Sequence, residues 1–359
     1  MWHERNHANR VTGTPSDGTW RGRFPYSEII SLLDVNRPYN LAESTAQDLT
    51  TGELIDLAGG IDKLRPLKLG YGTSEGLLEL REIIARSSGV EAGEVLTVEG
   101  TALGLFLLAF EHCRTDDEAL ISTPCFPPAK DALIGCGVTI REAPLSFDEG
   151  YRLAPERIAA QLSPRTKLVS IASPQNPTGV CASVEVIQDL LKHMRHRSPD
   201  ALLFVDETYR ESSYGDNQTP PSAASLDPRI ITAGSVSKAH GAPGLRVGWL
   251  TLHDIDLRKR MMVAKMNTVI SGSVLNETLA ATLLQNAKTV LAPRRKLLQE
   301  ALLVVEEWME REHARLEWVR PQGGALCCIG CRPNRARDHA AIVARLGVQL
   351  ARVRFGSTE

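Results

Sequence analysis

The segment Leu202-Leu203-Phe204-Val205-Asp206-Glu207-Thr208-Tyr209 decides the fold class. Four apolar residues run straight into an acid. A run without polar alternation suits a strand covered on both faces, as in a parallel sheet. Its carboxylate then emerges at the carboxyl end, where open α/β sheets bind ligands. Further strand-like runs lie at 119–121, 138–140, 168–171, 230–232 and 247–252. Helix-like spacing appears at 77–85, 183–196, 257–266, 277–287 and 294–312. This alternation predicts an α/β fold with a mainly parallel sheet covered by helices.

Downstream lies Ser235-Val236-Ser237-Lys238-Ala239-His240-Gly241-Ala242-Pro243-Gly244-Leu245-Arg246-Val247-Gly248. A lysine among small residues, with hydroxyls before it and an arginine after it, suits a covalent aldehyde cofactor such as pyridoxal phosphate. The amine forms a Schiff base with the aldehyde. Ser235, Ser237 and Arg246 are the donors a phosphate dianion wants. Gly244 and Gly248 let the backbone pass close to a ligand. Taken alone, the segment also reads as a surface lysine in a glycine-rich loop. His240 reads as a solvated loop residue or as a substrate contact. Upstream, the run Leu168–Ile171 ends in Ala172-Ser173-Pro174-Gln175-Asn176-Pro177-Thr178-Gly179, a strand and then an Asn-Pro turn. The chain thus offers an acid for a pyridine nitrogen, an amide and a phenol for a ring oxygen, and a lysine for an aldehyde.

Competing readings are narrower. Asp206-Glu207 after an apolar strand also resembles a nucleotide-hydrolase magnesium site, but no Gly-x-x-x-x-Gly-Lys-Ser/Thr loop accompanies it. No Gly-x-Gly-x-x-Gly opens a helix near Gly100. Asn176-Pro177 alone is a turn, and Tyr209 alone a packed aromatic. Glu75 and Arg81 read as helix-start and surface residues.

The chain has 359 residues, 43% hydrophobic and 23% charged, which predicts about two domains. Its net charge of −2 implies no attraction to nucleic acid or membrane. No long apolar window reads as a membrane span, and Met1–Arg10 lacks an apolar signal core. Seven scattered cysteines suggest reduced thiols and a cytoplasmic protein. Cys327, Cys328 and Cys331 read as buried strand thiols; no metal is expected. Asn217 and Asn276 open chance glycosylation patterns.

From about Asn40 to Gly356 the chain resembles the class I/II aminotransferases of the large pyridoxal-phosphate fold, fold type I. Seven motifs stand in the family's order. The resemblance implies a three-layer α/β/α large domain over 51–290. A smaller α+β domain would combine 21–50 with 291–359, after a disordered 1–20. It implies that Lys238 is the Schiff-base lysine and that Asp206 pairs with the pyridine nitrogen. Tyr209 and Asn176 would bond the phenolic oxygen. Ser235, Ser237 and Arg246 would hold the phosphate, with Gly100, Thr101 and Ala102 as the first phosphate loop. Phe126 would stack on the ring. Tyr71 would reach the neighbouring site of a homodimer. The implied reaction moves an amino group between an amino acid and a 2-oxo acid, with the freed Lys238 amine as base.

The segment 39–54, ending Thr50-Thr51-Gly52-Glu53-Leu54, resembles capreomycidine synthase and related cyclising enzymes. Elimination or cyclisation on a hydroxylated arginine-like amino acid is therefore the alternative. Glu43 would then meet a basic side chain, or merely cap a helix. In the family, a strand beyond the Phe355-Gly356 position carries an arginine for the substrate carboxylate, and a terminal helix covers the small domain. This sequence stops at Glu359, so a truncated small domain is expected, with Arg352 or Arg354 as substitutes or the chain an impaired homologue.

Overall fold

The computed structural model describes residues 21–26, 39–40, 44–45, 47–214, 219–331 and 348–349. The expectations placed on 1–20, Glu43, Asn217, Arg352, Arg354 and Phe355-Gly356 lie outside the described residues, as does the side chain of Cys331.

The chain opens with β1 (Tyr39–Asn40), α1 (Thr51–Leu57), α2 (Ile61–Leu64) and α3 (Leu78–Ser88). Then come β2 (Val95–Val98), α4 (Thr101–His112), β3 (Glu118–Thr123), α5 (Pro127–Gly135), β4 (Thr139–Pro144) and α6 (Pro155–Ala159). Next are β5 (Thr166–Ala172), α7 (Val184–Arg197), β6 (Leu202–Asp206), β7 (Ile230–Ser235) and β8 (Gly248–Thr251). Helices α8 (Ile255–Val269), α9 (Val274–Gln285) and α10 (Ala287–Arg311) follow, and then β9 (Leu316–Trp318), β10 (Ile329–Cys331) and β11 (Val348–Gln349).

Seven strands form one sheet in the order β2-β8-β7-β6-β5-β3-β4. β4, β3, β5, β6 and β7 run parallel. β8 runs against both its neighbours, β2 and β7. The expected α/β class is therefore present, with one strand of opposite sense. Strand alternation makes the layers. Phe204 faces a core with Leu108 of α4, Leu133 of α5 and Met261 of α8. Leu203 and Val205 face the other way, against Ile158 of α6 and Leu190 and Met194 of α7. These side chains are at most 2% exposed, and each such burial contributes roughly 1.5–3 kcal/mol. Both faces must be apolar for this packing, which is why β6 carries no polar alternation.

Two local expectations need correction. The helix expected to begin at Arg294 begins at Ala287 and runs through Pro293. Val290 and Leu291 are buried ahead of the proline, and that packing outweighs the lost backbone hydrogen bond. Arg81 is no surface residue. It is 8% exposed and meets Glu75 at 3.1 Å, while Arg258 meets the same carboxylate at 3.2 Å. Strand β2 drew no expectation, because four residues carry too little periodicity. In the C-terminal part, β9 pairs antiparallel with β10, and β1 pairs parallel with β11.

Candidate active site

The sheet order sends several carboxyl ends to one edge. Asp206 lies between Ala172 and Ala233 in register, and Gly248 between Ser235 and Val98. The segments after β5, β6, β7 and β2 therefore leave the sheet side by side. Because β8 is reversed, its amino end, with Arg246 just before it, arrives at the same edge.

One end of this edge is an anion cradle. Helix α4 begins at Thr101 with Gly100 as its N-cap, and no side chain caps it. Its first backbone N–H groups point out of the helix, at the positive end of its dipole. Gly100 has φ 82°, and a Cβ there would fall 2.2 Å from Arg246 Nη2. Only glycine allows the guanidinium to lie against the helix start. Arg246 is itself held in the left-handed region at φ 54°, where a non-glycine residue is strained, and Nη1 donates to Pro243 O at 3.2 Å. Gly248 is equally confined: a Cβ would fall 2.9 Å from Thr101 N. Ser235 and Ser237 are buried, and Ser235 Oγ accepts from Ser237 N at 2.9 Å. A helix start, a guanidinium and two hydroxyl-bearing residues on neighbouring segments suit a phosphate dianion.

Asp206 closes β6. Its Oδ1 accepts from Thr208 N at 2.9 Å and from Thr208 Oγ1. Burial pushes its pKa up, while the Thr208 bonds and the Lys238 charge pull it back. A half-buried carboxylate with one acceptor oxygen engaged suits a cationic N–H partner. Lys238 is half-buried; its Nζ donates to Ser44 Oγ at 2.5 Å and lies 5.8 Å from the centre of the Tyr209 ring. Tyr209 is buried, and its hydroxyl donates to Ser44 O at 3.3 Å. Asp206, Tyr209 and Lys238 thus come together, with Ser44 between the last two.

Asn176 stands, half-buried, in the turn after β5. Gln175 anchors that turn: its Oε1 accepts from Thr178 N at 2.9 Å, and its Nε2 donates to Pro124 O. Pro124 leads into Phe126, the N-cap of α5, so the Asn176 and Phe126 segments are tied together. Gly179 docks the chain beyond β9, accepting from Gln322 N at 2.8 Å and Gly323 N at 3.0 Å. Ala102 is exposed on the first turn of α4. Tyr71 stands at the surface, 86% exposed.

His240 departs from its solvated-loop reading. It is 1% exposed, and neither ring nitrogen has a hydrogen-bond partner among the described residues. Burial lowers its pKa, which favours the neutral ring. The cause is α10, which crosses over the loop: Arg294 Nε donates to Ala239 O at 2.7 Å. The cysteines 113, 125, 136, 181, 327 and 328 are free thiols. Cys328 is buried as expected, and burial pushes its thiol up to about 12. Cys327 is only half-buried, and both residues lie just before β10 rather than in a strand, because the chain does not enter the sheet until Ile329.

Residues that the sequence did not single out complete the site. Thr208 lies in the quoted motif, two positions after the acid, where a hydroxyl folds back onto a carboxylate. Gln175 likewise sat unassigned in its motif. Ser44 had only its place in the N-terminal segment. The same segment's Thr50-Thr51-Gly52-Glu53 is a capping box: Thr50 N donates to Glu53 Oε2 at 2.8 Å and Glu53 N to Thr50 Oγ1 at 3.2 Å. That part of the resemblance to the cyclising enzymes is a helix start.

Known proteins resemble this chain in sequence and fold. The chain is 28% identical to capreomycidine synthase of Streptomyces vinaceus over 289 residues, covering 79% of this chain and 73% of that one. It is 27% identical to arginine–pyruvate transaminase of Pseudomonas aeruginosa over 328 residues, covering 87% and 78%. The fold matches a pyridoxal-phosphate-dependent aminotransferase structure from Streptococcus suis, with a TM-score of 0.79, 22% identity and coverage of 87% and 84%. The family profile described as aminotransferase class I and II matches residues 53–355. That span contains the phosphate-suited cradle, the acid at the end of β6 and the lysine, and so the chain belongs to the class I and II aminotransferase family, whose cofactor is pyridoxal phosphate.

Proposed function

We propose that this chain is a transaminase that moves an amino group from an amino acid to a 2-oxo acid. The observation that carries the reading is the convergence of Lys238, Asp206 and Tyr209 on the sheet edge that also bears the Gly100–Arg246 cradle. Pyridoxal phosphate, when bound, supplies an aldehyde for amines and a ring that accepts the electron pair left at Cα. Lys238 would hold the cofactor through its Nζ, and the same nitrogen would act as the base for the Cα proton. Asp206 keeps a proton on the pyridine nitrogen by charge. Tyr209 and Asn176 would bond the phenolic oxygen, and Phe126 would stack on the ring. Ser235, Ser237, Arg246 and the N–H groups of Thr101 and Ala102 would bind the phosphate, with Gly100 leaving room for the Arg246 guanidinium.

Elimination or cyclisation on a hydroxylated arginine-like substrate is the second reading, favoured by the likeness to capreomycidine synthase. It uses the same residues up to proton removal and then expels a leaving group instead of returning the proton. Incubating the holoenzyme with pyruvate and either L-arginine or a β-hydroxylated arginine separates the two. We expect alanine to accumulate with a 2-oxo product; alanine-free loss of water from a β-hydroxylated arginine supports the second reading instead.

We place the active protein in the cytoplasm as a homodimer, with Tyr71 reaching the partner's phosphate. Residues 21–50 and 291–359 form its small domain beside the large domain at 51–290, a division supported by the β1–β11 pairing. The dimer is supported by an apolar surface. Leu69 and Tyr71 are 80% and 86% exposed, and Met266 and Ile270 are 48% and 51% exposed. The two stretches are adjacent, since Ser74 Oγ donates to Ile270 O at 2.9 Å. Exposed neighbours of this kind mark an interaction site. Sedimentation should give a dimer, and Tyr71→Ala should weaken cofactor retention. A fully active monomer rules the arrangement out. Among the described residues, no helix is long and apolar enough to cross a membrane.

A further inference from the structure

We infer that Ser44 is a positioning residue for the Lys238 amine. The inference rests on the reading of Lys238 as the lysine that carries the cofactor. Lys238 Nζ donates to Ser44 Oγ at 2.5 Å across a separation of 194 residues. Ser44 also accepts the Tyr209 hydroxyl on its main-chain oxygen at 3.3 Å. The lysine nitrogen in turn lies 5.8 Å from the centre of the Tyr209 ring. Three groups therefore close a circuit. Ser44 holds the amine through its side chain and the phenol through its backbone.

The chemistry gives this contact a direction. A lysine is a point charge on a flexible stem, and a base must stay near the atom it serves. A hydroxyl at 2.5 Å narrows the positions open to the nitrogen. The bond is also stronger when the donor is an ammonium, because charge-assisted hydrogen bonds are roughly twice as strong as neutral ones. Ser44 thus favours the protonated form of Lys238. It keeps the amine in place and helps it retain a proton once taken.

Removing the hydroxyl separates the two duties of Ser44. Ser44→Ala leaves the main-chain oxygen, and so the Tyr209 bond, intact. The test reads the apoenzyme as it captures pyridoxal phosphate, followed by absorbance across a range of pH, with borohydride reduction and peptide mapping to place the cofactor. In capture the neutral amine attacks the aldehyde carbon. A C=N bond forms, and the aldehyde oxygen leaves as water with the two amine protons. Loss of one charge-assisted bond lowers the amine's proton affinity by about tenfold, or about one pH unit.

Ser44→Ala apoenzyme should therefore capture the cofactor about tenfold faster than wild type at low pH. The two rates should converge at high pH, where both amines are neutral. Ser44→Thr, which keeps a hydroxyl, should follow wild type. The ratio of variant to wild-type rates cancels the titrations of the cofactor itself. A ratio that stays constant with pH, or equal shifts in both variants, means a structural role and overturns the inference alone. Wild-type protein that captures the cofactor on another lysine, or on none, overturns the reading of Lys238 and the inference with it.

Discussion

Lys238→Ala should leave a folded protein with turnover reduced about 10⁴-fold or more. One side chain carries two duties in the proposed mechanism, covalent attachment and proton transfer at Cα. Each factor of ten corresponds to about 1.4 kcal/mol of barrier, so the loss corresponds to about 5.5 kcal/mol. The fold should persist, because Lys238 is half-buried, outside the apolar clusters that pack the sheet. Wild-type protein reduced with borohydride should carry the cofactor on the peptide containing Lys238, and the variant should carry none. Lys265 is an internal control. It is fully buried and lies 3.8 Å from Glu99. Burial lowers its pKa, while the acids Glu99 and Glu277 oppose that shift. Cofactor found on Lys265, or unchanged turnover in Lys238→Ala, would defeat the assignment.

Asp206→Asn should lower turnover by about 10²–10³-fold, comparable to losing one preorganised electrostatic contact in other enzymes. The variant keeps an oxygen to accept the Thr208 N–H and hydroxyl but loses the charge that keeps a proton on the pyridine nitrogen. Stability should move the other way. The folded pKa of Asp206 is raised, chiefly by burial. An acid whose folded pKa lies above its unfolded value is harder to ionise in the folded state, so its charge costs stability at pH values above that folded pKa. The apoprotein of Asp206→Asn should therefore melt no lower than wild-type apoprotein near neutral pH. The difference should shrink as the pH falls and Asp206 takes up its proton. Stability held in reserve at a functional site is a common trade-off. Calorimetry of both apoproteins, set beside the turnover ratio, checks the pair of outcomes. A variant that melts lower and turns over normally would make Asp206 a structural acid.

Much of the fold was legible because burial on both faces leaves a mark in the sequence. Leu202–Val205 has no polar alternation, and both sides of β6 are indeed packed. The helices at 183–196 and 257–266 were readable from spacing, and the structure places them at Val184–Arg197 and Ile255–Val269. Short or reversed elements were not readable. β2 has four residues, and nothing local in Gly248–Thr251 states that β8 runs against its neighbours. Strand sense is set by which partners offer free backbone groups, and that is a property of the assembled sheet.

The sequence by itself determined the residue types that the site brings together. The acid at the end of an apolar run, the lysine behind two serines, the arginine after it and the glycine before Thr101 all follow from local chain chemistry. Tertiary structure alone decided what those residues touch. The reversed sense of β8 carries Arg246 to Gly100, where a Cβ would fall 2.2 Å from the guanidinium. Helix α10 crosses over the loop after Lys238, where His240 is a buried ring. Ser44 meets Lys238 across 194 residues. Local patterns record how each segment meets water and its own backbone; contacts between distant segments depend on how layers stack, and no short window of sequence contains that.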